Sequence, residues 1–249
     1  MPTTLLCLHG WGGSSESFTE LREALKGSDI KILTPDLPGF GNEPEPKEPW
    51  TTDNYADWVE NWLRQSGKWK VENGKLMLLG HSHGGRIAIK MLVRFPLSTF
   101  HFPLPSHFFL CASAGIRHPR HFKRIFGLTL AKTGKTLLKV PGLKSLEPLG
   151  KKFLYRLVRV HDYEQASPIM RQTMINVTKE DLRPLLSTIT VPTDIFWGED
   201  DGMTPVSDAH VMHKEIAGST LHLYKGVRHR VHRDKAREIA EVIRKRTAL

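Results

Sequence analysis

Six short apolar runs, separated by stretches of helical periodicity, restrict this chain to very few folds. The runs are Thr4–His9, Lys31–Pro35, Leu76–Leu79, Phe108–Ser113, Thr193–Trp197 and Leu221–Tyr224. Most are apolar throughout instead of alternating, as strands covered on both faces must be. Helical patterns fall between them, near residues 15–26, 53–66, 84–95, 205–216 and 233–246. Each helix returns the chain to the end of the sheet where the previous strand began, so the alternation predicts an α/β domain with a parallel sheet. Residues 117–187 interrupt the pattern. They show helical spacing (Phe122, Ile125 and Phe126; Phe153, Leu157 and Val158) and no clear strand. A helical insertion after the fourth strand is expected there, dividing the chain into a core of residues 1–116 and 188–249 and an inserted unit of residues 117–187.

Composition narrows the class. With 249 residues, 39% hydrophobic and 25% charged, the chain has the make-up of a soluble globular protein. No apolar run approaches the roughly 20 residues needed to span a bilayer. The N-terminus enters its first strand without the basic segment and apolar run of a secretory signal, which points to the cytoplasm. Cys7 and Cys111 each sit within an apolar run and read as buried free thiols rather than a disulfide. The net charge of +10 is local: residues 117–160 hold twelve Lys/Arg and one acid, Glu147, leaving the other 205 residues at −1.

The chemistry concentrates after the third apolar run. Residues 75–85 read KLMLLGHSHGG, a strand ending in Gly80-His81-Ser82-His83-Gly84 with a helix opening behind it. This is G-x-S-x-G in the strand–turn–helix setting that gives the pattern meaning. The turn is so tight that a side chain at Gly80 or Gly84 would collide with neighbouring chain, and it lifts the Ser82 hydroxyl above the sheet edge. A serine hydroxyl is a weak nucleophile near neutral pH and needs an adjacent base. An acid and then a histidine are expected downstream. Thr193–Pro205 reads TDIFWGEDDGMTP, and Asp201 lies just past the end of that strand, with Asp200 and Glu199 as rivals. Leu221–Lys235 reads LHLYKGVRHRVHRDK, where His229 follows the strand end closely and His232 is the rival. An oxyanion hole needs the N–H of the residue after the nucleophile and one from the loop after the first strand. Those residues are His83 and Trp11, the latter within His9-Gly10-Trp11-Gly12-Gly13.

Taken together, HGWGG at 9–13, DLPGFG at 36–41, GHSHGG at 80–85, WGEDDGMTP at 197–205 and GVRH at 226–229 resemble the α/β-hydrolase superfamily over nearly the whole chain outside 117–160. HGWG with DLPGFG is also similar to the pimeloyl–acyl carrier protein methyl ester esterases. The resemblance implies a triad of Ser82, Asp201 and His229, an oxyanion hole at Trp11 and His83, and a helical cap over the active site at about 117–187. It implies a mostly parallel six-stranded sheet that lacks the family's usual N-terminal hairpin, since the chain starts three residues before its first strand. Arg228 stands where glycine is common, and His83 where an apolar residue is common.

The expected activity is carboxylic-ester hydrolysis through an acyl-enzyme on small to medium acyl esters, with no cofactor and no metal. A metal needs three or four converging ligands, and His81 and His83 flank a turn that points them apart. The glycines match no phosphate loop or dinucleotide fingerprint. Alternatives within the fold are a lactonase, a thioesterase, a carrier-protein methyl esterase or a C–C hydrolase. A non-enzymatic binding module is the alternative outside catalysis. For the basic segment the plain reading is a solvated Lys-rich face. The functional ones are steering of an acidic carrier protein or anionic substrate, an anionic membrane surface, and nucleic acid. The last is weakest because no binding motif accompanies the charge. Phe122, Phe126 and Phe153 are the pocket-lining candidates.

Overall fold

The computed structural model describes residues 3–67, 75–94, 104–118 and 166–247. Six strands form one sheet: β1 (Thr3–Leu8), β2 (Ile30–Leu33), β3 (Lys75–His81), β4 (His107–Cys111), β5 (Thr193–Gly198) and β6 (Thr220–Tyr224). Their order is β2-β1-β3-β4-β5-β6, and every pairing is parallel. The four central strands are the apolar ones, and all but one of their residues are buried; the edge strands β2 and β6 are only partly covered. Covering both faces of the central strands is the largest favourable term in such a fold, at about 25 cal/mol per Å² of apolar area. Strand order reverses between β1 and β3. A parallel sheet opens a crevice at such a point, outside the carboxyl ends of its strands.

The helices that cover the sheet, the first of them α1 (Thr19–Ala24), start where local chemistry allows. Thr51 caps α2 (Thr52–Ser66) by accepting from the Asn54 N–H at 3.3 Å, while Asn54 Oδ1 accepts from the Thr51 N–H at 2.8 Å. This reciprocal cap satisfies two N–H groups that a helix start otherwise leaves unpaired. Helix α3 (His83–Arg94) begins one residue after β3 and buries most of its first three turns. The last helix, Ala236–Thr247, packs Ile239, Ala240 and Ile243 into the core. No helix among the described residues is long and apolar enough to cross a membrane.

The chain divides into two compact units, residues 1–117 with 172–249, and residues 118–171. The second boundary differs from the expected 187. Residues 172–187 include Val177, Leu182 and Leu186, which belong to the core of the larger unit, and the Leu182 N–H donates to the Gly115 carbonyl at 2.8 Å. Helical periodicity alone cannot tell which apolar body a helix packs on. Phe122, Phe126 and Phe153, and most of the basic segment, lie outside the described residues.

Candidate active site

Ser82 occupies the one-residue turn between β3 and α3, in a left-handed backbone conformation at φ 52°. A non-glycine residue pays about 1–2 kcal/mol for that conformation, so surrounding bonds must hold it. Three do. The Ser82 N–H donates to the Cys111 carbonyl at 3.2 Å, and the Ser82 carbonyl accepts from the Gly85 and Ala114 N–H groups, each at 3.0 Å. The turn is therefore fastened to α3 and to the chain leaving β4. Gly84 is required by closeness: a Cβ there would lie 2.0 Å from the Leu8 carbonyl oxygen. The oxyanion-loop candidate also abuts the serine. A Cβ on Gly10 would stand 3.1 Å from Ser82 Cβ, beside the crevice where strand order reverses.

The loops after β5 and β6 meet at the same sheet edge. The Glu199 N–H donates to the Tyr224 carbonyl and the Asp200 N–H to the Val227 carbonyl, both at 3.0 Å, so the β6 loop folds back over the end of β5. There the His229 Nδ1–H donates to Asp201 Oδ2 at 2.8 Å. The other carboxylate oxygen, Oδ1, accepts from the Met203 N–H at 2.7 Å and the Thr204 N–H at 3.0 Å. Thr204 Oγ1 donates to Asp201 Oδ2 at 2.8 Å and lies 3.3 Å from His229 Nδ1. Burial works against charge on Asp201, but the His229 hydrogen bond and ring, with the Met203 and Thr204 donors, prevail and hold its carboxyl below the usual range. A carboxylate fixed in this way dictates which imidazole nitrogen carries the proton, leaving Nε2 free to act as a base. The rivals Glu199 and Asp200 are exposed.

Of the two histidines in the β6 loop, His229 pairs with the carboxylate and His232 is buried without a partner for its Nδ1 among the described residues. Burial, then the His229 and Arg233 charges, push the His232 imidazole down to about 3. His83 is likewise buried. Its ring meets Trp11 and Tyr55 edge to face, with centroids 5.3 and 4.9 Å away. Burial, then Arg86 and His9, push it down to about 3, so it packs as a neutral aromatic while its N–H opens α3.

Three contributors carry little signal in the sequence. Thr204 reads as an ordinary loop residue until its hydroxyl is seen on Asp201. His9 ties two loops together: its Nδ1–H donates to the Gly10 carbonyl at 2.8 Å and its Nε2 accepts from the Leu37 N–H at 2.9 Å. Its place in HGWGG is the only hint. His81 Nε2–H donates to the His229 carbonyl at 3.1 Å.

Known proteins agree with this architecture. A proline iminopeptidase from Saccharolobus solfataricus is 28% identical over 96% of this chain and 83% of its own length. An esterase from Exiguobacterium antarcticum superimposes with a TM-score of 0.71 at 25% identity, covering 99% of this chain and 92% of that one. A lipase-esterase related protein from Clostridium acetobutylicum superimposes with a TM-score of 0.68 at 25% identity, covering 98% and 94%. These esterase and lipase relatives support a hydrolase. The profile of the Alpha/beta hydrolase family matches residues 5–242, nearly the whole chain, and with the parallel sheet and its serine turn it shows that this chain belongs to that family.

Proposed function

We propose that the chain is a serine hydrolase of carboxylic esters, with Ser82 as nucleophile, His229 as base and Asp201 as the residue that orients the base. The observation that carries this reading is the Asp201–His229 hydrogen bond, made by a loop that His81 also ties to the turn holding Ser82. In the first half-reaction His229 Nε2 takes the Ser82 proton while Oγ attacks the ester carbonyl. The carbonyl electrons move onto oxygen, where the Trp11 and His83 N–H groups would hold them. Collapse of the tetrahedral intermediate expels the alcohol, which leaves with the proton from His229. Water, deprotonated by His229, then attacks the acyl-Ser82 and releases the acid. Asp201 keeps the Nδ1–H tautomer and stabilises the imidazolium formed twice per cycle. No step draws on a cofactor.

The test is hydrolysis of p-nitrophenyl esters from acetate to long chain by wild type and Ser82→Ala. The expected result is turnover lost by about 10⁴-fold or more in the variant, with a chain-length profile that sizes the acyl pocket. Equal turnover in both proteins would overturn the reading.

The concentration of charge in residues 117–160 favours a second, narrower reading, in which the ester is presented by an acidic carrier protein. Arg156 and Arg159 to Glu would then raise KM for a carrier-linked ester and leave a neutral p-nitrophenyl ester untouched. An equal effect on both substrates speaks against it.

A further inference from the structure

His81, the residue before the nucleophile, ends β3 and is buried. It meets other parts of the site on three sides. Its Nε2 lies 3.1 Å from the His229 carbonyl oxygen. Its Nδ1 faces the oxyanion loop, where a Cβ on Gly10 would stand 2.9 Å away. Its ring lies on that of His232, centroids 3.8 Å apart, with the His229 ring 5.0 Å away. A carbonyl oxygen only accepts, so the hydrogen bond requires the proton on Nε2. The other two histidines favour a neutral ring as well. A charge on His81 would face His232 and oppose the positive charge that His229 takes up at each proton transfer. Burial, then His232 and His229, hold its imidazole well below the usual range.

We infer that His81 is a positioning residue, whose neutral Nε2–H tautomer fixes the backbone of His229 relative to the turn that carries Ser82. The Asp201 hydrogen bond orients the His229 ring, but it does not set how far the β6 loop stands from β3. That distance spans from an edge strand to a central one, with β4 and β5 between them. The His81 hydrogen bond crosses it directly, joining residues 148 apart in sequence. The inference rests on the serine-hydrolase reading above, and it adds a requirement which that reading does not contain.

The test compares His81→Phe, which keeps a ring and loses the donor, with His81→Gln, whose amide N–H can reach the position of Nε2. Wild type and Ser82→Ala are assayed alongside on the same p-nitrophenyl ester. Misplacing a catalytic group by about 1 Å costs about 100-fold, so kcat of His81→Phe should fall about 10- to 100-fold with KM within about twofold. His81→Gln should stay within about threefold of wild type, since it restores the hydrogen bond. Wild-type kcat in His81→Phe, or an equal loss in both variants, overturns the assignment while leaving the Ser82 result standing. A loss of KM alone also overturns it, because a loop that positions the base acts on turnover. Should His81→Phe fail to fold, two-bond ¹H–¹⁵N spectra of the wild-type imidazoles decide, with His81 identified as the signals absent from His81→Gln. A proton on Nε2 is required, and one on Nδ1 refutes the proposal whether or not the protein turns over esters.

Discussion

Replacing Asp201 by Asn should disable the site without disturbing its geometry. In the wild type, Oδ1 accepts two backbone N–H groups, from Met203 and Thr204, while Oδ2 faces His229 Nδ1 and the Thr204 hydroxyl. An Asn side chain has one oxygen to place. The two backbone donors claim it, because the opposite orientation would set an NH₂ group against two N–H groups. Leaving two buried donors unpaired costs about 1–3 kcal/mol each, so the flipped amide is populated at roughly one part in 30 to one in 10⁴. The NH₂ then points at His229 Nδ1 and forces that nitrogen to accept, which moves the imidazole proton to Nε2. Thr204 Oγ1 can turn its proton to the Ala112 carbonyl, 3.3 Å away, so no new clash appears. A base that already carries its proton cannot take one from Ser82. We expect kcat on p-nitrophenyl esters to fall by between about 30- and 10⁴-fold, or about 2–5.5 kcal/mol of transition-state stabilisation, the span set by how often the amide flips. The melting temperature should change little. Asp200→Asn makes the same chemical change on the exposed neighbour and should stay within roughly twofold, the usual size of a surface substitution. Retention of more than about a tenth of wild-type kcat in Asp201→Asn would refute the assignment of Asp201 as the orienting acid, since every other feature of the site is preserved.

Two further expectations concern stability. In Gly84→Ala the new methyl would lie 2.0 Å from the Leu8 carbonyl oxygen and 2.4 Å from its carbon, both backbone atoms that cannot rotate away. A loss of about 3 kcal/mol, or roughly 6–12 °C in melting temperature, is expected for a chain of this size, and an unchanged melting curve would show that α3 can slide off β1 at little cost. At the opposite end of the sheet, buried Asp194 accepts from His107 and His222, each at 2.7 Å, and from the Arg246 guanidinium at 2.9 and 3.2 Å. Burial opposes its charge, but these three partners together hold its carboxyl far below the usual range. A depressed folded-state value means the stabilisation is complete above the unfolded value of about 3.9 and is lost as pH falls through the lower folded value. Asp194→Asn should therefore cost about 2–4 kcal/mol at neutral pH and flatten the fall in melting temperature as pH drops below about 4. Parallel slopes for the two proteins would exclude Asp194 as a source of acid lability.

Much of the fold was legible in the sequence because its signals are local. Apolar runs, turn glycines and helical periodicity each span a few residues, and they locate six strands and the helices between them. The Ser82 turn is equally local, since its glycines, its strand and its helix lie within 20 residues. The order serine, acid, histidine also survives in sequence, because each follows a strand that can be recognised. What sequence left open was choice among neighbours. Glu199, Asp200 and Asp201 share one acidic turn, and only the folded backbone shows which carboxylate receives the Met203 and Thr204 N–H groups and faces His229. The choice between His229 and His232 was open for the same reason. Three groups had no local signature at all: the Thr204 hydroxyl on Asp201, the His81 bond to the His229 carbonyl, and the Asp194 cluster drawn from β4, β5, β6 and the last helix. The end of the inserted unit also escaped, because residues 172–187 have the periodicity of any amphipathic helix, and only their packing assigns them to the larger body. A side chain's residue type and local rhythm determine which element it joins. Its partner is set by contacts between residues tens to hundreds of positions apart, and only the tertiary structure brings those together.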